Sequence, residues 1–243
     1  MKNKITYLLS KNCNILLLII FSFITGYLLK IVALPYTYYK IFILILFSIF
    51  LFVYFTYVTL RNYTLLLLSV IICIIECNVT TSVPFVIHLS EAGIKILSPI
   101  VIQFIIQHNK KPKLLIKTGI CLTFIAHGLL ALNIIPTPPT FYQMTGKILS
   151  LNFEQSILFL DTFGILDILA CFIILFSKQR IYTFAVIYCI IWGGITALAR
   201  TLYLLDSDFK TILFSGIAET MVRIPNSLMP LLLIYGINKK KAS

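Results

Sequence analysis

Residues 154–177 read EQSILFLDTFGILDILACFIILFS, an apolar run of 24 residues that contains two aspartates, Asp161 and Asp167. A membrane-spanning helix needs about 20 mostly apolar residues, so this run is long enough to cross a bilayer. A charge at the centre of a bilayer costs about 2.5–3.5 kcal/mol on insertion scales, so it persists where it pairs, meets water or has a function. The run therefore indicates a helical membrane protein and shows which residues deserve a functional interpretation.

The rest of the chain has the same character. Hydrophobic residues make up 60% of the 243 positions, and the mean hydropathy is +1.01. Too few polar residues remain for the surface of a soluble domain. The net charge of +12 would also suit a nucleic-acid-binding protein, but the basic residues lie in short loops and no groove-reading motif accompanies them. We therefore predict an all-α integral membrane protein whose partner is the lipid bilayer and not nucleic acid.

Hydropathy predicts about eight transmembrane helices. The apolar runs are residues 14–34, 41–60, 63–86, 93–107, 113–135, 154–177, 181–205 and 211–236. The fourth run is short and contains Lys95, Pro99 and Gln103, so a re-entrant or interfacial segment is the alternative there. We expect an N-terminal four-span region, 1–110, and a C-terminal four-helix bundle, 111–243.

The basic residues predict the orientation of these helices. With the N-terminus in the cytoplasm, 13 of the 20 Lys and Arg residues fall on the cytoplasmic side and five on the opposite side. The remaining two, Arg200 and Arg223, fall inside the membrane. The positive-inside rule thus predicts a multi-pass protein with both termini cytoplasmic. In this topology Glu91, Lys30 and Lys95 belong to the outer side.

Six ionisable residues lie within the predicted spans of the second half. They are His127, Asp161, Asp167, Arg200, Glu219 and Arg223, and the third span adds a seventh, Glu76. At a rise of about 1.5 Å per residue, His127, Asp161, Arg200 and Glu219 share one layer in the outer half of the bilayer. These residues are predicted either to hold a ligand or to form an ion-pair network that only fixes the helices. A histidine in the set permits a proton-coupled role.

Small residues lie beside the charges at helical spacing. Gly193 and Ala197 precede Arg200, and Gly216 precedes Glu219. Because small residues let membrane helices approach closely, we expect tight helix crossings at the charged layer.

Three segments of the second half resemble known bacterial membrane proteins. The segment Leu122–Leu132, with Phe124 three residues before His127-Gly128, is similar to the first helix of DoxX-like membrane proteins. The runs Trp192–Arg200 and Glu219–Pro230 are similar to related bacterial proteins. The resemblance covers residues 113–236 and implies a four-helix bundle in the bacterial inner (plasma) membrane. Some members of that family are associated with quinone-linked sulfur oxidation or oxidative-stress complexes, but the four spans before residue 110 depart from its architecture.

Two functions stay open at this point. One is a buried site for small-molecule transport or quinone-linked redox chemistry, and the other is a non-catalytic subunit that scaffolds or anchors other membrane proteins. No hydrolase motif and no metal-ligand set is present, and His127 with Asp161 as base and orienter would lack an identifiable nucleophile. The sequence names neither a reaction nor a cofactor.

Overall fold

A computed structural model describes residues 2–33, 45, 61–77, 84–108, 111–177 and 180–234. Its regular structure over these ranges is entirely helical. The helices are α1 (Lys2–Ala33), α2 (Arg61–Cys77), α3 (Phe85–Glu91), α4 (Gly93–His108), α5 (Lys113–Ala131), α6 (Pro139–Leu149), α7 (Phe153–Phe176), α8 (Arg180–Tyr203) and α9 (Phe209–Ile234).

Five described helices are long and apolar enough to cross a membrane. They are the Ile15–Ala33 part of α1 together with α5, α7, α8 and α9. The predicted class, an all-α membrane protein, is confirmed at this level. The predicted span 41–60 lies outside the described residues except for Ile45, and α2 has a shorter apolar core, Leu67–Glu76. The total of eight spans and the C-terminal bundle therefore stay predictions.

The fourth predicted span begins at a bend in the chain. Helices α3 and α4 meet at Ala92 with a bend of 46°, and together they form either one broken span or a re-entrant loop. This bend ends α3 at Glu91, whose side chain is only 12% exposed. The prediction that Glu91 lies in an outer loop is wrong, because the short helix before the bend carries it into the protein.

A short helix, α6, lies between the predicted spans 113–135 and 154–177, in a segment for which hydropathy predicts no span. Pro139 is the first residue of α6. The backbone N–H at that position of a helix has no acceptor within the helix, so the missing N–H of proline costs no hydrogen bond there. The Nζ atom of Lys147 donates to the carbonyl oxygen of Tyr203 at 2.8 Å and lies 3.1 Å from Asp206. These contacts hold α6 against the end of α8.

Helix α9 is irregular where it carries its charges. Residues Ile212–Ile217 form a π-helical turn, and the helix breaks at Ile224 just before Pro225. The hydroxyl of Thr220 donates to the carbonyl of Ala197 at 2.9 Å, and that of Ser227 donates to Ile190 at 2.7 Å. These bonds hold α9 along α8 on both sides of the break.

Glycines allow the closest helix crossings, as the small-residue pattern predicted. A Cβ atom on Gly193 would lie 2.6 Å from the carbonyl oxygen of Asn226, and one on Gly128 would lie 2.8 Å from that of Gly164. Gly26 likewise brings α1 against α9 at Val222. Helices from both sides of residue 110 thus contribute to one buried core, and the division there stays a prediction.

Candidate functional site

A chain of ion pairs runs through the described helices around Glu91. Its Oε1 atom lies 3.1 Å from Nη2 of Arg223 and 3.2 Å from Nε2 of His127. Glu219 extends the chain, because its carboxylate lies 3.4 Å from Nε of Arg223 and 2.6 Å from Nζ of Lys30. Four charged side chains from α1, α3 and α9 are therefore joined by ion pairs in the order Lys30, Glu219, Arg223, Glu91, and His127 of α5 is in contact with Glu91.

Local structure explains this order. Glu219 and Arg223 are four residues apart on α9 and so lie on the same face of that helix. Lys30 lies in the last turn of α1, and Glu91 lies in the last turn of α3 at the bend. Lys30 and Glu91 are therefore located at helix ends, and Glu219 and Arg223 are located on an irregular helix.

Glu76 belongs to a second, adjacent cluster. Nζ of Lys95 lies 3.2 Å from both of its carboxyl oxygens, and the hydroxyl of Tyr27 donates to it at 2.7 Å. His88 contributes a longer contact, 3.7 Å from Oε2. The two clusters come close at α1, since Nζ of Lys30 lies 5.8 Å from the ring centre of Tyr27.

Four of the seven predicted site residues line one cavity, namely His127, Asp167, Arg200 and Arg223. Glu219 does not line the cavity, but it forms an ion pair with Arg223, which does. The side chain of Asp161 makes no hydrogen bond or ion pair with any other residue in the described ranges, and Asp161 does not line the cavity. Glu76 is in its own cluster, so the structure joins part of the predicted set and separates the rest.

The cavity lies between α5, α6, α7 and α8 and has a volume of about 140 Å³. Its walls are mainly aromatic and aliphatic; they include Phe141, Met144, Ile148, Phe159, Phe163, Trp192 and Ile195. An engineered apolar cavity of about 150 Å³ holds benzene, so a space of this size suits a ring-sized group. The cavity combines apolar walls with a few charged groups, which is typical of small-molecule sites.

Arg200 is the exceptional charge of this cavity. The sequence has eight acidic side chains, all within the described ranges, and none lies within 4.0 Å of the Arg200 guanidinium group. The guanidinium carbon of Arg200 lies 5.6 Å from the centre of the Phe141 ring. The centre of the Phe141 ring lies 6.3 Å from the centre of the His127 ring. Arg200 is partly buried, and a cation that is removed from water without a counter-ion is costly.

The charges of the two clusters balance one another. Glu76 pairs with Lys95, Glu91 with Arg223, and Glu219 with Lys30. Three carboxylates and three cations are thus matched in the two clusters. Arg200 and Asp167 are outside these pairs, and both line the cavity.

Asp167, on α7, also lines the cavity. Its carboxylate accepts a hydrogen bond from the hydroxyl of Tyr188 at 2.7 Å, and the side chain is only 3% exposed. Asp167 also lines a second, small chamber of about 10 Å³, together with His127, Thr196, Asn226 and other residues.

Sequence reasoning missed five members of the two clusters: Tyr27, Lys30, His88, Glu91 and Lys95. The three charged members were assigned to the outer side because each lies near the end of an apolar run. One signal was available, since Glu76 in the middle of an apolar run requires a cation nearby. Lys95, which made the fourth span doubtful, is that cation.

No group of three or more His, Cys, Asp and Glu side chains able to hold a metal ion occurs within the described ranges. The resemblance to DoxX-like proteins over residues 113–236 stays a prediction. No protein-family model, no curated protein and no solved structure matches the chain.

Proposed function

We propose that this protein binds a small amphiphilic molecule in the cavity at Arg200 and that the molecule offers Arg200 an anionic or carbonyl oxygen. The observation that carries the proposal is the absence of a side-chain carboxylate within 4.0 Å of Arg200 among the described residues. A guanidinium group presents a fork of donors that matches a carboxylate or phosphate. A bound oxygen would supply the partner that the protein itself does not.

The apolar walls support an amphiphile over a fully polar ion. Phe159, Phe163 and Trp192 would be in contact with any molecule that fills the space beside Arg200. Leu149 and Ile195 line the cavity although they are 44% and 50% exposed. Ile195 is on α8, a candidate membrane span, and an exposed apolar side chain on such a helix is suited to contact lipid, which supports entry from the bilayer.

The activity that uses this site is transport of the molecule or quinone-linked redox chemistry. An anionic cargo would pair with Arg200, and a quinone would accept a hydrogen bond from it through a carbonyl oxygen. In the orientation predicted by the charge distribution, the cavity lies in the outer half of a bacterial inner membrane and both termini are cytoplasmic. Membership of the DoxX-like family is part of this proposal for residues 113–236.

The alternative is a subunit that only scaffolds or anchors other membrane proteins. The ion-pair chain around Glu91 would serve such a protein equally well, because it ties four helices together. Arg200 favours the ligand site, since a purely structural role gives no reason to keep an unpaired cation at a cavity.

The only tryptophan of the chain, Trp192, lines the cavity and provides a direct test. We expect benzoate, added to the purified protein in lipid nanodiscs, to change Trp192 fluorescence at lower concentration than benzamide, which has the same shape without the charge. Arg200→Gln should weaken benzoate binding about tenfold or more, because a hydrogen-bonded charge is lost.

The matched control is Arg180→Gln, which removes an exposed arginine from the start of the same helix. It should leave benzoate binding as in the wild-type protein. Binding of neither benzoate nor benzamide, or equal loss in both arginine variants, would refute the ligand site and favour the scaffold.

A further inference from the structure

The geometry points to a more specific ligand class: an aromatic acid that also carries a hydroxyl group, which occupies the small chamber at Asn226. This inference rests on the proposed function and adds a second contact to it. Arg200 holds the acid, and acceptor groups of the chamber accept a hydrogen bond from the hydroxyl.

Asn226 provides the first acceptor. Its side chain is only 3% exposed, and its Oδ1 atom has no hydrogen-bond partner. Buried polar atoms are nearly always hydrogen-bonded in proteins, and this unpartnered atom belongs to a side chain that lines a chamber, where a group from outside the chain can reach it. The chamber that Asn226 lines is about 10 Å³, near the smallest space that holds a water-sized oxygen.

Asp167 provides the second acceptor. Its carboxylate lines both the chamber and the main cavity, and no lysine or arginine of the described ranges lies within 4.0 Å of it. The Tyr188 hydroxyl donates one hydrogen bond to it, and a carboxylate can accept several more. Asn226 and Asp167 thus present two acceptor groups to a space with room for a single hydroxyl oxygen.

The residues between the two polar regions favour a flat ring. Phe163 and Trp192 are stacked with ring centres 3.9 Å apart, and Phe159 lies 6.1 Å from Trp192. Aromatic side chains bind a ring through stacked or edge-to-face contacts. His127 and Thr196 line both spaces, so the chamber adjoins the main cavity. A ring with its acid at one end and its hydroxyl at the other satisfies Arg200, the aromatic wall and the chamber together.

The test compares benzoate, 4-hydroxybenzoate and 2-hydroxybenzoate by Trp192 fluorescence on the full chain in nanodiscs. The wild-type protein should bind 4-hydroxybenzoate about tenfold more tightly than benzoate, because the hydroxyl supplies the hydrogen bond that the Oδ1 atom of Asn226 lacks. The 2-hydroxy isomer should gain nothing, since its hydroxyl lies beside the acid. Asn226→Leu should reduce the tenfold preference to about one.

Gln103→Leu is the matched control, because Gln103 is also a buried amide without hydrogen-bond partners but does not line either space. It should keep the tenfold preference. Equal affinities of benzoate and 4-hydroxybenzoate in the wild-type protein would overturn the inference, as would a preference that survives in Asn226→Leu. Benzoate binding that depends on Arg200 but gains nothing from the hydroxyl would overturn this inference alone. Binding of neither probe would overturn the proposed function with it.

Discussion

Replacing Glu76 by glutamine is expected to lower the free energy of unfolding by about 3–5 kcal/mol, the cost of leaving a buried charge without its counter-ion. Lys95 is only 3% exposed, and Glu76 is its only carboxylate partner within 4.0 Å in the described part of the chain. The hydroxyl of Tyr27 loses its charged acceptor in the same substitution. The change is measured as the shift in thermal or denaturant unfolding of the protein in detergent micelles.

Two comparisons separate this cause from a general effect of removing an acid. Glu154→Gln removes an exposed carboxylate at the start of α7 and should cost less than about 1 kcal/mol. Adding Lys95→Met to a Glu76→Leu variant should recover most of the lost stability, because apolar pairs often replace buried ion pairs well. A Glu76→Gln protein as stable as the wild type would show that the Glu76 cluster does not stabilise the fold.

Gly193→Ala is expected to destabilise the protein by about 1–3 kcal/mol, the usual cost of overpacking. The added methyl group would lie 2.6 Å from the carbonyl oxygen of Asn226, a backbone atom that cannot move without shifting α9 along α8. The same unfolding measurement applies, and a displaced Asn226 should also weaken the binding of 4-hydroxybenzoate.

The neighbouring glycine is the control for this prediction. A Cβ atom on Gly194 would lie 3.5 Å from the Ser227 hydroxyl, an ordinary contact. Gly194→Ala should therefore leave stability unchanged or raise it by up to about 1 kcal/mol, because alanine favours the helix over glycine. Similar losses in the two variants would contradict the crossing geometry described for Gly193.

The sequence predicted the long apolar helices well because a bilayer demands uninterrupted apolar length, and hydropathy reads that length directly. The candidate span Ile15–Ala33 within α1 and the bounds of α5, α7, α8 and α9 follow the predicted runs closely. Hydropathy did not predict α6, because this helix is too short for a hydropathy window and begins at a proline, a residue that is typical of loops. The structure of 41–60 is outside the described residues.

The site was predicted less completely, for a reason visible at Glu91. Hydropathy places a charge at the end of an apolar run in water, whereas the bend at Ala92 turns that end into the protein. The layer of four charges predicted from helix rise treated all four as partners. In the structure His127 and Arg200 line the cavity, Glu219 pairs with Lys30 and Arg223, and Asp161 stays apart. Depth along a helix is readable from sequence, but the direction in which a side chain faces depends on how the helices pack.

The ion pairs and the cavity have complementary roles in this account. Arg223 belongs to both, because it pairs with Glu91 and Glu219 and also lines the cavity. Its carboxylate partners hold it in place, so it is already neutralised when a ligand arrives. Arg200 differs in lacking such a partner, and it is therefore the cation that a ligand would neutralise.

The most direct measurement is an experimental structure of the protein purified in native lipid, with the density in the cavity examined beside Arg200. The account predicts non-protein density between the aromatic wall and the Arg200 guanidinium group, with an oxygen atom within about 3 Å of that group. An empty, collapsed cavity in which Arg200 pairs with Glu219 or Glu91 would contradict it.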